Sequence, residues 1–375
     1  STATRKCEPS IQCRVTRSTI DSQVDPMTGR SSILAALAAA LLFGASTPFA
    51  KQLAGGTSPI LLAGLLYLGS GVGLWMVRLI RDRGFAAPDL PARDWPWLLG
   101  AIASGGVLAP SLLMLGLTRT SAADASLLLN LEAVLTAALA WVVFRESADR
   151  RIVLGMAFIV AGGLLLAGSG PGGAGQSSMF GSLAVAGACL CWAVDNNLTR
   201  KVSASDAVFI AGTKGLAAGI TNVVLALALG ATLPAWPRVA EAMSVGLAGY
   251  GVSLVLFVLA LRGLGSARTG AYFSTAPFIG AIIAIAVFRE PPSAAFWAAA
   301  VLMGVGVWLH LTERHEHPHT HEPLEHAHRH VHDEHHRHDH AFPWNAVQPH
   351  SHPHRHPRLT HSHPHFPDVH HQHRH

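Results

Sequence analysis

Three ionisable side chains stand out within long apolar stretches of this 375-residue chain: Glu132, Asp195 and Lys214. An ionisable group in hydrocarbon costs at least about 2.5 kcal/mol on insertion scales, so each one needs a partner or a water-filled cavity. A carboxylate can bind a cationic group or a proton, and an ammonium can bind an anion or neutralise a carboxylate. The three residues therefore predict a polar site inside an otherwise apolar protein.

Glu132 lies near the middle of its apolar stretch, about 18 Å from the end at 1.5 Å per helical residue. We interpret it as a ligand of the substrate or as a proton-binding carboxylate used for coupling. The alternative is a structural carboxylate held by hydrogen bonds between helices. The sequence leaves both interpretations open.

Lys214 and Asp195 differ in depth by about one helical turn on consecutive apolar stretches. We expect them to pair, with Lys214–Glu132 as the competing partnership, and the pair can be a fixed structural bridge or part of a gate. Asn130 and Asn196 place amide groups at neighbouring levels, as does Asn197. Asn130 does not share a helix face with Glu132, so its partner is expected elsewhere.

The composition excludes a soluble enzyme and a disordered chain. Half of the residues are hydrophobic and 13% are charged, whereas a soluble domain carries about 25% charged residues. A helix that crosses a bilayer needs about 20 mainly apolar residues. Ten stretches meet this requirement: 33–53, 59–80, 97–117, 122–144, 151–169, 179–198, 207–230, 241–262, 267–288 and 293–311. The predicted fold class is an all-α integral membrane protein with ten transmembrane helices.

Lys and Arg residues are distributed unequally between the connecting loops. With the N-terminus taken as cytoplasmic, eleven lie on the cytoplasmic side and four on the outer side, as the positive-inside rule requires. We therefore expect a multi-pass protein of the cell membrane with both termini in the cytoplasm. The basic residues form no patch with interleaved aromatic residues, so no nucleic-acid partner is expected.

The chain contains an internal repeat. Residues 129–146 correspond to residues 273–290 at an offset of 144, and both end in Phe-Arg-Glu. Residues 43–51 lie over residues 192–200 at an offset of 149. Each unit contains five spans, and because five is odd the second unit must be inverted relative to the first. Inverted repeats that meet at the bilayer midplane are typical of alternating-access transporters.

Four features of the sequence carry a resemblance to a known family. They are the paired five-span units, the segment Leu129-Asn-Leu-Glu132, the two Phe-Arg-Glu endings and the stretch Trp192–Arg200. In these features the sequence resembles the ten-span EamA-type branch of the drug/metabolite transporter superfamily. The resemblance implies two inverted five-helix repeats and a secondary transporter that exports a small organic metabolite or drug-like solute. The sequence shows no catalytic cluster and no nucleotide-binding motif, so we expect no enzymatic activity and no required cofactor. We assign substrate or coupling roles to five residues: Glu132, Asn130, Asp195, Asn196 and Lys214. The expected partners are the lipid bilayer and a small solute. The sequence does not decide between a monomer and a homodimer.

The predicted organisation has five parts. They are an N-terminal tail at 1–30, a first EamA-like repeat at 31–169, a Gly-rich linker at 170–178, a second repeat at 179–311 and a His-rich cytoplasmic tail at 312–375. We expect Met27 to be the natural start. Pro48, Pro110 and Pro277 are expected to interrupt the first, third and ninth spans.

All 24 histidines lie at or after His310. The tail that carries them has too few apolar residues for a core, so disorder is expected. Neutral imidazoles at His-x-His spacing bind Zn, Ni, Co or Cu. The predicted metal ligands are His326, His328, His330, His335, His336, His338, His361, His363, His365, His370, His371 and His373.

The tail supports an alternative function, a divalent-metal (Zn/Ni/Co) exporter or metal-regulated transporter. It can also respond to pH, since imidazole titrates near 6.5, or store metal on a membrane anchor. Against metal export, the spans contain no histidine before His310 and no cluster of carboxylates.

Overall fold

The computed structural model describes residues 29–84, 90–144, 150–168, 178–202 and 205–312, together with four short tail segments at 316–321, 324–330, 350–356 and 359–364. Within these residues, ten helices are long and apolar enough to cross a membrane. The predicted all-α membrane fold with ten spans is therefore confirmed. Residues 170–177 of the Gly-rich linker and most of both predicted tails lie outside the described residues.

The ten spans are built from thirteen α-helices. Their bounds are α1 Gly29–Ala54, α2 Pro59–Arg81, α3 Trp95–Ala101, α4 Ala109–Leu117, α5 Ala122–Leu128, α6 Leu131–Phe144, α7 Arg150–Gly168, α8 Met179–Thr199, α9 Ala207–Ala228, α10 Trp236–Gly246, α11 Ser253–Phe273, α12 Ala276–Ala286 and α13 Ala294–Leu311. Short 3₁₀ turns cover Ala92–Asp94 and Arg200–Val202.

Two π-helical segments interrupt the third and eighth spans at corresponding places in the two repeats. They cover Ile102–Leu108 and Leu247–Val252, and an offset of 144 superposes 103–108 on the second. A π-helix shifts the hydrogen-bond register by one residue and leaves carbonyl groups available to other partners, often at functional sites. The two repeats therefore match in the position of their π-helical segments as well as in sequence.

The fourth and ninth spans are also broken at corresponding places. The fourth is interrupted at residues 129–130, between α5 and α6, and the ninth at residues 274–275, between α11 and α12. Pro277 lies in the first turn of α12, where a missing N–H is tolerated. The expected interruption at Pro48 is wrong, because α1 runs through this residue without a break.

Helix α11 covers the end of the eighth span, the predicted connection and the start of the ninth span. Sixteen residues of straight helix would separate Phe257 from Phe273 by about 24 Å, yet their ring centroids are 4.8 Å apart. The chain must therefore reverse within α11. The two spans form the antiparallel hairpin that the sequence predicts.

Glycines allow several helices to pack backbone to backbone. A Cβ atom built on Gly215 of α9 would lie 2.7 Å from the Cα of Gly71 in α2, and one on Gly219 would lie 2.5 Å from the backbone N of Leu68. Small residues that permit such approach drive helix association where lipid removes the hydrophobic driving force. The buried core includes Leu61, Leu66, Leu113, Met114 and Leu127.

We call the two ends of the bundle the Lys51 end and the Arg81 end, after one basic residue at each. The Lys51 end contains the end of α1 and the start of α5. The Arg81 end contains the end of α2 and the start of α9, where the guanidinium of Arg81 lies 2.6 Å from a carboxylate oxygen of Asp206.

The described parts of the His-rich tail contain four short strands. They are β1 Glu316–His321, β2 Leu324–His330, β3 His350–His356 and β4 Leu359–Pro364. β1 pairs antiparallel with β4, and β2 pairs antiparallel with β3. The pairing is made by backbone groups of extended segments, and the rest of the tail, for which disorder is expected, lies outside the described residues.

Candidate functional site

A buried ion pair joins α8 to α9. The ammonium of Lys214 donates to both carboxylate oxygens of Asp195, at 2.5 and 2.7 Å. The side chain of Asp195 is 7% exposed and that of Lys214 is 16% exposed. The geometry favours the first of the two partnerships that the sequence left open, since Lys214 bonds to Asp195 and not to Glu132.

Thr199 completes this pair. Its hydroxyl donates to Oδ1 of Asp195 at 2.8 Å and accepts from the ammonium of Lys214 at 3.3 Å. Thr199 lies four residues after Asp195, on the same face of α8. The three side chains satisfy one another, as a buried charge pair requires.

The π-helical segment of the third span forms the wall behind Asp195. A Cβ atom on Gly105 would lie 1.9 Å from Oδ2 of Asp195, so only glycine fits there. The carbonyl of Gly105 accepts hydrogen bonds from the hydroxyl of Tyr67 and from Nε1 of Trp192, both at 3.0 Å. The irregular backbone therefore fixes two aromatic side chains beside the ion pair.

Glu132 lies in the first turn of α6, directly after the break in the fourth span. Its Oε1 accepts a hydrogen bond from the amide of Asn196 at 2.9 Å, and the same amide reaches the hydroxyl of Thr136 at 3.3 Å. Asn197 donates to the carbonyls of Ala193 at 2.8 Å and of Thr136 at 3.4 Å. The contact between α6 and α8 is therefore made by polar side chains.

This polar contact is open on one side. Asn196 is exposed and Glu132 is half-buried. Polar groups that face hydrocarbon are costly, and in membrane proteins they face the bundle interior or a water-filled cavity. The open side of the Glu132–Asn196 pair therefore suits a hydrated cleft better than a lipid-facing surface.

The five predicted site residues divide into two groups. Four of them form two bonded pairs, Glu132 with Asn196 and Lys214 with Asp195, and the adjacent positions 195 and 196 place the pairs side by side on α8. Asn130 lies apart. Its buried amide donates to the carbonyl of Leu127 at 2.8 Å and contacts the sulfur of Met303 at 3.9 Å, so its geometry indicates stabilisation of the helix break.

Sequence reasoning missed several members of the site, above all Thr136, Thr199, Gly105 and Tyr67. The two threonines carried a usable signal, since each lies four residues after a predicted acidic site residue and shares its helix face. Gly105 is matched by Gly249 in the second repeat at the offset of 144. Tyr67 carried no comparable signal.

The structure describes part of the predicted metal-binding tail. His326, His328 and His330 lie on β2, opposite His354, His352 and His350 of β3. His361 and His363 lie on β4, opposite His319 and His317 of β1. The other predicted ligands, His335, His336, His338, His365, His370, His371 and His373, lie outside the described residues. Across the described residues, no group of three or more His, Cys, Asp or Glu side chains is placed to hold a metal ion.

Two carboxylates outside the membrane-spanning helices tie the Arg81 end together. The hydrogen bond from Arg81 lowers the pKa of Asp82. Burial raises the pKa of Asp206, but hydrogen bonds from the backbone N–H of Phe209 and from Arg81 outweigh this effect and lower it overall. Both carboxylates are thereby kept ionised, and they fix the start of α9 against the end of α2.

Comparison with known proteins gives a family, a relative and a fold. The EamA-like transporter family matches residues 30–168 and 179–312. A protein of Methanothermobacter thermautotrophicus (strain Delta H), named an uncharacterized transporter, is 28% identical over 292 residues, which cover 73% of this chain and 84% of that protein. One solved structure, described only as a crystal structure of a protein, gives a TM-score of 0.56 at 20% identity and covers 75% of this chain and 96% of its own. That likeness shows the fold alone.

Proposed function

Since this chain belongs to the EamA-like transporter family and is thus a membrane transporter of small solutes, we propose that it exports a small organic metabolite or drug-like solute by alternating access. In this proposal the solute binds in the cleft between α6 and α8, at the level of Glu132. Both chain termini lie in the cytoplasm. The two repeats rock about this level to expose it to one side of the membrane at a time.

The observation that carries the proposal is the position of Glu132 beside the break in the fourth span. Discontinuous helices form the substrate sites of many transporters built from inverted repeats, because the ends of the half-helices present unpaired backbone groups. Glu132 lies in the first turn of such a half-helix and is bonded to an exposed amide on α8. A solute can replace this amide without disturbing the buried core.

The neighbouring ion pair defines the charge of the proposed site. The ammonium of Lys214 is neutralised by Asp195, whereas Glu132 accepts a hydrogen bond from the neutral amide of Asn196, which also donates to the hydroxyl of Thr136. The carboxylate of Glu132 therefore supplies the net charge of the cluster. This arrangement favours a solute with a cationic or hydrogen-bond-donating group, or a proton that Glu132 binds during coupling.

The same contacts suggest which helices separate during transport. Asp195 and Asn196 are neighbours on α8, but one bonds to α9 and the other to α6. A movement of α8 together with α9 would retain the ion pair and break the hydrogen bonds that Asn196 and Asn197 make to Glu132 and Thr136 of α6. In this proposal Lys214 and Asp195 hold α8 and α9 together as one moving unit, while Asn196 is a contact that opens. Asn130 contributes by stabilising the helix break.

The test begins with the solute. Metabolite and metal contents are compared in cells with and without the protein, and the organic solute that is depleted is then used in efflux assays with proteoliposomes. We expect Glu132→Gln to reduce efflux at least tenfold, because it removes the charge and retains the shape. The matched control is Glu241→Gln, an exposed glutamate on α10, which should transport normally.

Two outcomes contradict the proposal. Normal efflux by Glu132→Gln would show that Glu132 is a structural carboxylate. A change in Zn, Ni or Co content with no change in any organic solute would instead favour the metal-export alternative. Deletion of residues 315–375 would then show whether the tail carries that activity.

A further inference from the structure

At the Lys51 end, the carboxylate of Glu290 is bonded to the start of α5. Its Oε1 accepts from the backbone N–H of Ala122 at 3.0 Å, and its Oε2 accepts from the N–H of Ala123 at 2.9 Å. The first N–H groups of a helix have no partner within the helix, and a negative charge there is favoured by the helix dipole. Glu290 follows the ninth span, so this contact joins the ninth span to the fourth.

Lys51 makes the complementary contact beside it. Its ammonium donates to the carbonyl of Leu117, the last residue of α4, and to the carbonyl of Thr120 at 2.9 Å. A cation is favoured at a helix C-terminus. Glu290 also lies near enough to attract Lys51 electrostatically. The two charges therefore connect the first, third, fourth and ninth spans at one end of the bundle.

The backbone is turned to bring Glu290 into this position. Arg289 has φ of +55°, a left-handed conformation that is uncommon in residues other than glycine. Next to it, the ring of Phe288 packs edge-on against that of Phe49 in α1, with centroids 5.3 Å apart. Such a conformation persists only where surrounding contacts compensate for its cost.

We infer that Glu290 and Lys51 form a latch that closes the Lys51 end of the bundle in this conformation and releases when that end opens. The inference rests on the proposed alternating access. Both charges bond to helix ends rather than to interdigitated side chains, so the helices can separate with little repacking. In solution the freed helix ends and charges can bond to water.

The internal repeat supports a role in the transport cycle. At the offsets of 144 and 149, the sequence counterparts of Glu290 and Lys51 are Glu146 and Arg200, so both charges are retained. The central site residues are not retained, since Ala276 corresponds to Glu132 and Ser46 to Asp195. If each end of the bundle closes in turn, each repeat needs charged residues for its own latch. The charges at positions 290 and 51 recur in the other repeat, although the residues of the central site do not.

The latch can be tested with a cysteine placed behind it. Ser126 on α5 is 1% exposed and lies against Gly280 of α12. In a chain whose four native cysteines are replaced, Ser126→Cys is labelled with a membrane-impermeant maleimide added on the Lys51 side of reconstituted vesicles. We expect Glu290→Gln and Lys51→Met each to raise the labelling rate about tenfold, because each removes one charge–helix contact.

Two controls separate release of the latch from loss of the fold. Glu241→Gln removes an exposed carboxylate on α10, which begins at the same end, and should leave the labelling rate unchanged. A second reporter, Ala188→Cys, lies in the buried core of α8 and should stay protected in every variant. Equal increases at both reporters would show that Glu290 only stabilises the fold and would overturn the inference.

Unchanged labelling of Ser126→Cys in both latch variants would also overturn the inference. This failure is distinguishable from failure of the proposed function, which depends on efflux by Glu132→Gln. Loss of efflux in Glu132→Gln together with unchanged labelling would retain the substrate site and reject the latch.

Discussion

The contact of α1 with α12 and the contact of α8 with α6 occupy corresponding positions in the two repeats, but they are held together differently. In the first, backbone meets backbone. A Cβ atom on Gly44 would lie 2.3 Å from the carbonyl oxygen of Ala276, and one on Gly280 would lie 2.6 Å from that of Gly44. In the second, polar side chains bridge the helices, with Asn196 bonded to Glu132.

The difference arises from substitutions at matched positions. Gly280 corresponds to Thr136, and Ser46 and Thr47 correspond to Asp195 and Asn196. The helix breaks and the π-helical segments recur in both repeats, so the duplication conserves the backbone framework. The polar chemistry occurs in one pair only. A duplicated fold can thus keep one contact closely packed through its backbone while its counterpart is joined by polar side chains.

The largest expected effect comes from breaking the buried ion pair. Asp195→Ala leaves the ammonium of Lys214 buried without its partner, and we expect a loss of about 3–5 kcal/mol in the free energy of unfolding. Ser46→Ala is the matched control, because it removes the polar group at the corresponding position of α1. That hydroxyl donates to the carbonyl of Phe43 in its own helix and also hydrogen-bonds to the side chain of Tyr250; all of these groups are uncharged, so a loss of about 1 kcal/mol is expected.

Unfolding in mixed micelles, titrated with denaturant, measures both losses. The double variant Asp195→Ala/Lys214→Ala should recover part of the lost stability, since it removes the unpaired charge as well. Equal losses in Asp195→Ala and Ser46→Ala would mean that the two contacts do not differ in their dependence on polar groups.

A medium loss in the free energy of unfolding is expected when a glycine in the contact of α1 with α12 is replaced by the residue found at the corresponding position of the contact of α8 with α6. Gly280→Thr places the residue type of position 136 where a Cβ would lie 2.6 Å from the carbonyl oxygen of Gly44. The helices must separate, which costs about 1–3 kcal/mol by analogy with overpacked cores. Gly304→Thr on α13 is the control, because nothing lies within 4 Å of its Cβ.

The unfolding free energies of these two variants decide whether backbone approach stabilises the contact of α1 with α12. Near-equal values for Gly280→Thr and Gly304→Thr would show that the contact relaxes without cost. The contact of α1 with α12 and the contact of α8 with α6 would then differ in the residues they contain but not in how closely they must pack.

Much of this architecture can be predicted from the sequence because its causes are local or periodic. Mean hydropathy over about 20 residues gives the spans, and the fixed offset gives the inverted repeats. Depth on consecutive helices favours the pairing of Lys214 with Asp195, with Glu132 as the competing partner. These properties require no knowledge of how each helix is rotated about its axis.

The details of the site depend on rotation and backbone irregularity, which the sequence does not specify. Asn130 and Glu132 are two residues apart, yet the break between α5 and α6 places one against Met303 and the other against Asn196. The π-helical wall at Gly105 was missed for the same reason, since its hydrogen-bond register is set by tertiary partners such as Tyr67 and Trp192.

The smallest expected effect tests whether the polar contact depends on each of its groups. Thr136→Val retains the branched shape and removes the hydroxyl that accepts from Asn196 at 3.3 Å. The amide of Asn196 still bonds to Glu132, so we expect a loss of about 0.5–1.5 kcal/mol in the free energy of unfolding. Thr221→Val, on the exposed face of α9, removes a hydroxyl bonded within its own helix and is the control. A loss confined to Thr136→Val would show that the interhelical network itself stabilises the contact. Equal losses would show that the Thr136 hydroxyl adds nothing to the contact, so that the bonds of Asn196 to Glu132 and of Asn197 to the Thr136 carbonyl hold α6 to α8.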